Sequence, residues 1–228
     1  MVIGHGMIAK KFASYKPDDN YLIFASGVSN SKNTDLSAFQ RETNLLTEML
    51  KQHPDKMLVY FSTFSLFDPA EKDSLYVQHK RKLENLIVQH AEKYLVLRVS
   101  NLAGKSGNPN TILNFIYSHI VNQSTFQAWM NSTRNLVDID DLFLTVDYIL
   151  KNKLFINRII NVANPHNYTI PEIIHAFEKI LKLRAVYDPL PKGTPFEMDV
   201  TEILPVYREL NISFAEPYLE NLIKKYYL

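Results

Sequence analysis

Tyr76 and Lys80 stand four residues apart in LYVQHK, and Thr63 closes the apolar run MLVYFST thirteen residues upstream. A phenol, an ammonium on the same helical face and a hydroxyl at a strand end can polarise a carbonyl or alcohol and move its proton. A free phenol, with a reference pKa of about 10, holds its proton too tightly for a relay at neutral pH; an adjacent ammonium favours the phenolate. Y-x-x-x-K is also common on ordinary amphipathic helices, where the Tyr packs and the Lys is solvated. The pair gains meaning only from the elements that position it.

Those elements alternate. Met1–Ile3 is a short apolar run that breaks into Gly4-His5-Gly6, and Met7–Tyr15 reads as a helix stopped by Lys16-Pro17. YLIFA (residues 21–25) is a buried strand, Asp35 caps a helix over Leu36–Gln52, and Met57–Phe61 is a strand. Tyr76–Lys93 has helical periodicity and Tyr94–Val99 is β-rich. Strand–helix alternation of this kind predicts an α/β fold, a parallel sheet with helices on both faces. Beyond Gly104 the pattern loosens into helices over 111–121, 140–151, 170–182 and 217–226 and a strand over 158–162.

Bulk properties exclude several function classes. The 228 residues allow one substantial core with a small appended lobe. A net charge of +1 gives no phosphate-seeking field, so nucleic acid is not expected as a partner. The absence of cysteine rules out disulfides, thiolate metal sites and thiol nucleophiles, and suits a cytoplasmic protein. None of the seven histidines forms an H-x-x-x-H or H-E-x-x-H pair, so no metal is expected. MVIGHGMIAKKF lacks the pattern of a secretory signal, and no apolar run approaches the roughly 20 residues of a membrane span.

GHGMIA is G-x-G-x-x-A between a strand and a helix, a turn that lets backbone N–H groups face a phosphate. A tight strand-to-helix turn without a ligand has the same pattern. A dinucleotide fold also needs an acid about 20 residues later for the adenosine ribose. Here the next strand ends in Ala25, Ser26 and Gly27, with no acid for a ribose and no Arg or Lys for a 2′-phosphate.

In order along the chain, GHGMIA, IFASG, ETNLL, FSTFSLF, YVQHKRKLE, LRVSNLAG, TRNLVDIDDL and IINVANPHNYTIPEI follow one another. In that order and spacing the chain resembles the extended short-chain dehydrogenase/reductases, the nucleotide-sugar epimerases, dehydratases and ketoreductases. The resemblance implies a Rossmann-like cofactor-binding core over residues 1–105 and a mainly substrate-binding lobe over 106–228, with residues 158–163 returning to the sheet. It implies NAD or NADP as cofactor, held by Gly4, Gly6, Met7, Ile8, Ala25, Ser26, Asn44 and Lys80. Thr63 and Tyr76 would contact the reacting sugar oxygen, and Lys80 would favour the Tyr76 phenolate and hold the nicotinamide ribose. Asn101 and Arg134 match positions that hold a nucleotide-sugar diphosphate. For Arg134 a surface ion pair with Asp138 or Asp140 serves equally well, and for Asn101 a turn at a strand end.

The resemblance also shows a loss. The helix after the glycine turn runs almost directly into YLIFASG, so the strand-helix-strand unit that binds adenosine in this family is missing and the sheet is reduced in strand number. The resemblance then leaves weak cofactor binding with the adenosine end exposed, a pocket completed by another subunit, or no cofactor binding. The implied activity is an NAD(P)-dependent oxidoreductase of a nucleotide-linked sugar, of the 4-ketoreductase or 4-epimerase type. The alternative is a relative that binds a sugar nucleotide or a partner protein without turnover. The helices over 36–52 and 76–93 match those that pair in family dimers as a four-helix bundle, so a homodimer is expected.

Overall fold

In a computed structural model that describes all 228 residues, the apolar runs become the strands of one parallel sheet. The chain begins with β1 (Val2–Ile3), α1 (Met7–Lys11), β2 (Tyr21–Phe24) and α2 (Leu36–Gln52). It continues through β3 (Met57–Thr63), α3 (Leu75–His90), β4 (Tyr94–Val99) and β5 (Asn101–Ala103). Next come α4 (Ile112–Val121), β6 (Phe126–Trp129), β7 (Thr133–Arg134), β8 (Leu136–Asp138) and α5 (Ile139–Lys151). The last elements are β9 (Arg158–Val162), β10 (Tyr168–Thr169), α6 (Ile170–Leu181), β11 (Tyr187–Leu190), α7 (Leu204–Glu209) and α8 (Tyr218–Tyr227).

The main sheet has the order β1-β2-β3-β4-β9, parallel throughout. All seven residues of β3 are buried, as expected for a central strand covered on both faces. Alternation sorts the side chains. Leu22, Phe24, Leu58, Tyr60 and Val96 face α2 and α3, where Leu46, Leu83 and Ile87 meet them. Ile23, Val59, Phe61, Leu95 and Leu97 face the other way, into the larger cluster with Phe12, just beyond α1, and Leu142 and Val146 of α5.

The strands are laid down in one direction, so helices on opposite faces require crossovers of opposite hand. α2 and α3 cover one face while α1 covers the other, so the β1-α1-β2 connection has the opposite hand to the two that follow. Short crossovers are right-handed in about 98% of cases, which makes this first connection the unusual one. The β4-to-β9 connection shares its hand, but passes through the whole stretch from Ser100 to Asn157.

Several boundaries differ from the sequence expectation. The helix over Met7–Tyr15 is in fact a short α1 and a separate 3-10 turn at Ala13–Tyr15, because Phe12 leaves helical geometry (φ −88, ψ 16) to bury its ring. α3 starts at Leu75, capped by Ser74, whose hydroxyl accepts from the Val77 N–H at 3.2 Å. It ends at His90 rather than Lys93, since Ala91 is extended to feed β4. Three small pairings were not expected: β5 with β8 and β6 with β11, both parallel, and β7 with β10, antiparallel.

The tail packs against the start of α5. Lys225 Nζ donates to Asp138 and to Asp140 at 2.6 Å each, Tyr226 OH to Asp138 at 2.5 Å, and Tyr218 OH to Asp141 at 2.8 Å. No helix is long and apolar enough to cross a membrane.

Candidate active site

The carboxyl ends of β1, β2 and β3 bring Gly4, Ala25, Ser26 and Thr63 to one edge, the edge where open parallel sheets bind ligands. Thr63 is the last residue of β3 and pairs in register with Val99, two residues before Asn101. Its hydroxyl accepts from the Ser65 N–H at 3.2 Å, starting the 3-10 turn Phe64–Phe67. Tyr76 lies in the first turn of α3, its ring buried among Val28, Phe39, Leu66 and Val77.

Lys80 lies one turn further along, and only 2% of its surface is exposed. Its ammonium stands 5.8 Å from the Tyr76 ring centroid and 5.2 Å from that of Tyr60. It donates to Glu42 Oε1 at 2.8 Å and to Tyr60 OH at 3.0 Å. Glu42 is fully buried. Burial pushes its carboxyl up, but the hydrogen bond with His79, the Lys80 charge and hydrogen bond, and the Val28 N–H outweigh that and hold it at about 2.

This corrects one expectation. Asn44 does not face the site: it is exposed on the outer side of α2, where its side chain accepts from Gln40 at 2.7 Å. The residue that α2 turns inward is Glu42, which sequence reasoning passed over together with Tyr60, His79 and Gly27. A signal was available. Glu42 lies between Phe39 and Leu46 on the buried stripe of α2, opposite Lys80 on the buried stripe of α3. Opposite charges on two facing apolar stripes imply a buried ion pair.

The rest of the YVQHKRKLE and LRVSN motifs is a brace. Arg98 of β4 makes a bidentate pair with Glu84 of α3, at 3.0 and 2.7 Å, and Ser62 Oγ donates to the same carboxylate at 2.6 Å. The brace ties α3 to both strands that end at the site.

In β7, Arg134 is half-buried and forms no ion pair; its Nη1 donates to the Thr133 carbonyl at 2.7 Å. The surface-pair reading is corrected, because Lys225 and Tyr226 occupy Asp138, and Lys225 and Lys11 occupy Asp140. Burial lowers the Arg134 pKa, and the charges of Asp68 and Glu71 oppose that. Both acids belong to the loop between Thr63 and Tyr76, so the guanidinium borders the same site. The hydroxyls of Thr133, next to Arg134 in sequence, and of Ser100, next to Asn101, are buried without partners. Asn101 donates to the Asn135 carbonyl at 3.0 Å, which keeps its side chain at the strand end as a turn residue would.

The glycine turn lies next to β2. Gly4 has φ +126, and a Cβ there would stand 2.2 Å from the Ala25 carbonyl oxygen, so only glycine lets the two strand ends meet. A Cβ on Gly6 would meet nothing within 4 Å, which leaves room for a bulky anion. Met7 packs against Gly104, and Ile8, Ala25 and Ser26 are partly exposed. These residues fit the pyrophosphate and nicotinamide-ribose end of a dinucleotide: an open glycine turn and a Lys80 with one N–H unspent. At the adenosine end β1 is the edge of the sheet, so no further strand builds a pocket.

No family model matches the chain, and no curated protein matches it. Solved structures do. RMD from Pseudomonas aeruginosa, complexed with NADPH, superposes with a TM-score of 0.78 over 97% of this chain and 95% of that one, at 14% identity. The UDP-glucuronic acid 4-epimerase from Bacillus cereus, bound to UDP-glucuronic acid and NAD, gives 0.72 over 89% and 73%, at 19% identity. The ADP-L-glycero-D-manno-heptose-6-epimerase of Helicobacter pylori gives 0.70 over 91% and 71%, at 15% identity. The Rossmann-like fold implied by the sequence resemblance is therefore the fold this chain has, and it is one shared with the NADPH-bound RMD and the NAD-bound UDP-glucuronic acid 4-epimerase.

Proposed function

We propose that the chain is an NAD(P)-dependent oxidoreductase acting on a nucleotide-linked sugar, with 4-ketoreduction as the first reading and 4-epimerisation beside it. The observation that carries this is Arg134, a half-buried cation that forms no ion pair and lies within reach of the charges on the loop between Thr63 and Tyr76. A sugar alone does not need such a cation; a sugar carrying a diphosphate does. In this reading Arg134 and Asn101 hold the phosphates and set the reach of the sugar ring. Thr63 and Tyr76 take its reacting oxygen, and the Tyr76 phenol gives or receives the proton. Gly4, Gly6 and Lys80 would hold the dinucleotide's pyrophosphate and nicotinamide ribose, and the cofactor would supply or accept the hydride.

Tyr76→Phe tests this with a panel of nucleotide-linked 4-keto sugars, followed by NADH or NADPH absorbance. The variant should keep its melting temperature and lose turnover by about 10²–10⁴-fold. Near-normal turnover would overturn the assignment. A second reading, binding without turnover, is favoured by the Glu42 carboxylate, which stands 2.8 Å from Lys80 and offsets its charge. Thermal stabilisation by a sugar nucleotide with no absorbance change from any substrate would select that reading.

A further inference from the structure

One carboxylate gathers four donors between the two helices that flank the site. Glu42 Oε1 accepts from Lys80 Nζ and from Tyr60 OH, each at 2.8 Å. Its Oε2 accepts from the Val28 N–H at 2.8 Å and pairs with His79 Nε2 at 3.0 Å. The His79 ring is stacked on Phe39 with centroids 4.6 Å apart. Gly27 forms the roof: a Cβ there would stand 2.8 Å from the ammonium and 2.9 Å from Oε1. A buried ammonium without a counter-charge is strongly disfavoured, so removing this carboxylate would leave Lys80 either displaced or neutral.

We propose that Glu42 is the positioning residue of the site: it holds the Lys80 ammonium charged beneath Gly27, beside Tyr76, with one N–H left for a ligand hydroxyl. The proposal deepens the oxidoreductase reading and rests on it for what Lys80 then does. The ionisable groups facing Lys80 are Glu42 from α2, Tyr60 from β3, and Tyr76, His79 and Glu84 on α3 itself. Glu84 is already held by Arg98 and Ser62, and the segment after β2 offers only backbone. Glu42 is thus the carboxylate in direct contact with the ammonium.

The test compares wild type, Glu42→Gln, Glu42→Asp and Lys80→Met from about pH 6 to about pH 9. The first readout is the slowly exchanging lysine ammonium signal in ¹H–¹⁵N spectra, assigned by its loss in Lys80→Met. It should persist over the range in wild type and vanish with rising pH in Glu42→Gln. The second is NADH and NADPH affinity, level with pH in wild type and falling about tenfold or more across the range in Glu42→Gln, because a buried amine without its carboxylate gives up its proton. Glu42→Asp should restore a level profile, and it carries the test if Glu42→Gln does not fold. An ammonium signal and affinity profile in Glu42→Gln that match wild type would overturn the proposal. If wild type binds neither cofactor, the oxidoreductase reading fails, and the ammonium signal alone decides the positioning role.

Discussion

Two charges frame the Tyr76–Lys80 pair. Glu42 is in contact with Lys80, while Arg134 forms no ion pair and donates only to the Thr133 carbonyl. In the proposed reading the first charge serves the protein and the second is left for a ligand's phosphates. The Glu42 carboxyl, held at about 2 against an ordinary value of about 4.3, also links stability to acid. A carboxyl depressed in the folded state stabilises fully above its unfolded value and loses that contribution as pH falls toward the folded one. Wild type should therefore exceed Glu42→Gln in urea midpoint at about pH 5, and the gap should close as pH approaches about 2. A gap that does not change with pH would contradict the linkage. Tyr76 and Lys80 were legible in the sequence because an i, i+4 spacing places two side chains on one helical face. Asn44 was misread: motif matching settled on the amide and passed over the carboxylate two residues earlier, which the helical stripe turns inward.

Among the elements, the turn between β1 and α1 carries the sharpest constraint. Gly4 packs against the Ala25 carbonyl in a backbone conformation that side chains disfavour, while Gly6 faces open space. Gly4→Ala should cost about 1–3 kcal/mol or more in urea unfolding, and Gly6→Ala about 1 kcal/mol or less. Equal costs would show that the turn is not tight at Gly4. The long strands and helices were readable because each buries a run or a stripe long enough to show its period. The pairings β5–β8, β6–β11 and β7–β10 were not, since segments of two to four residues hold no period and are set by the chains they meet. They also place two of the predicted residues, since β5 begins at Asn101 and β7 ends at Arg134.

At the scale of the whole molecule, the first connection of the sheet stands apart. β1 is an edge strand of two residues, and its crossover to β2 has the hand opposite to its neighbours. A helix that kept its face while the chain was rejoined to the strand on the other side of β1 would leave this arrangement. It is what removal of a strand-helix-strand unit after α1 produces, and the short link from Tyr15 to Tyr21 gave the same indication in the sequence. With β1 at the edge no further strand builds an adenosine pocket, so any dinucleotide must be held from the glycine turn to Lys80. The most direct measurement is thermal unfolding of wild type and Lys80→Met with NADH or NADPH at about 1 mM. At ten times its Kd a ligand stabilises by about 1.4 kcal/mol, or about 3–6 °C for a chain of this size. A shift of that order in wild type, reduced in Lys80→Met, is the predicted result; no shift with either cofactor would contradict a nicotinamide site in this fold.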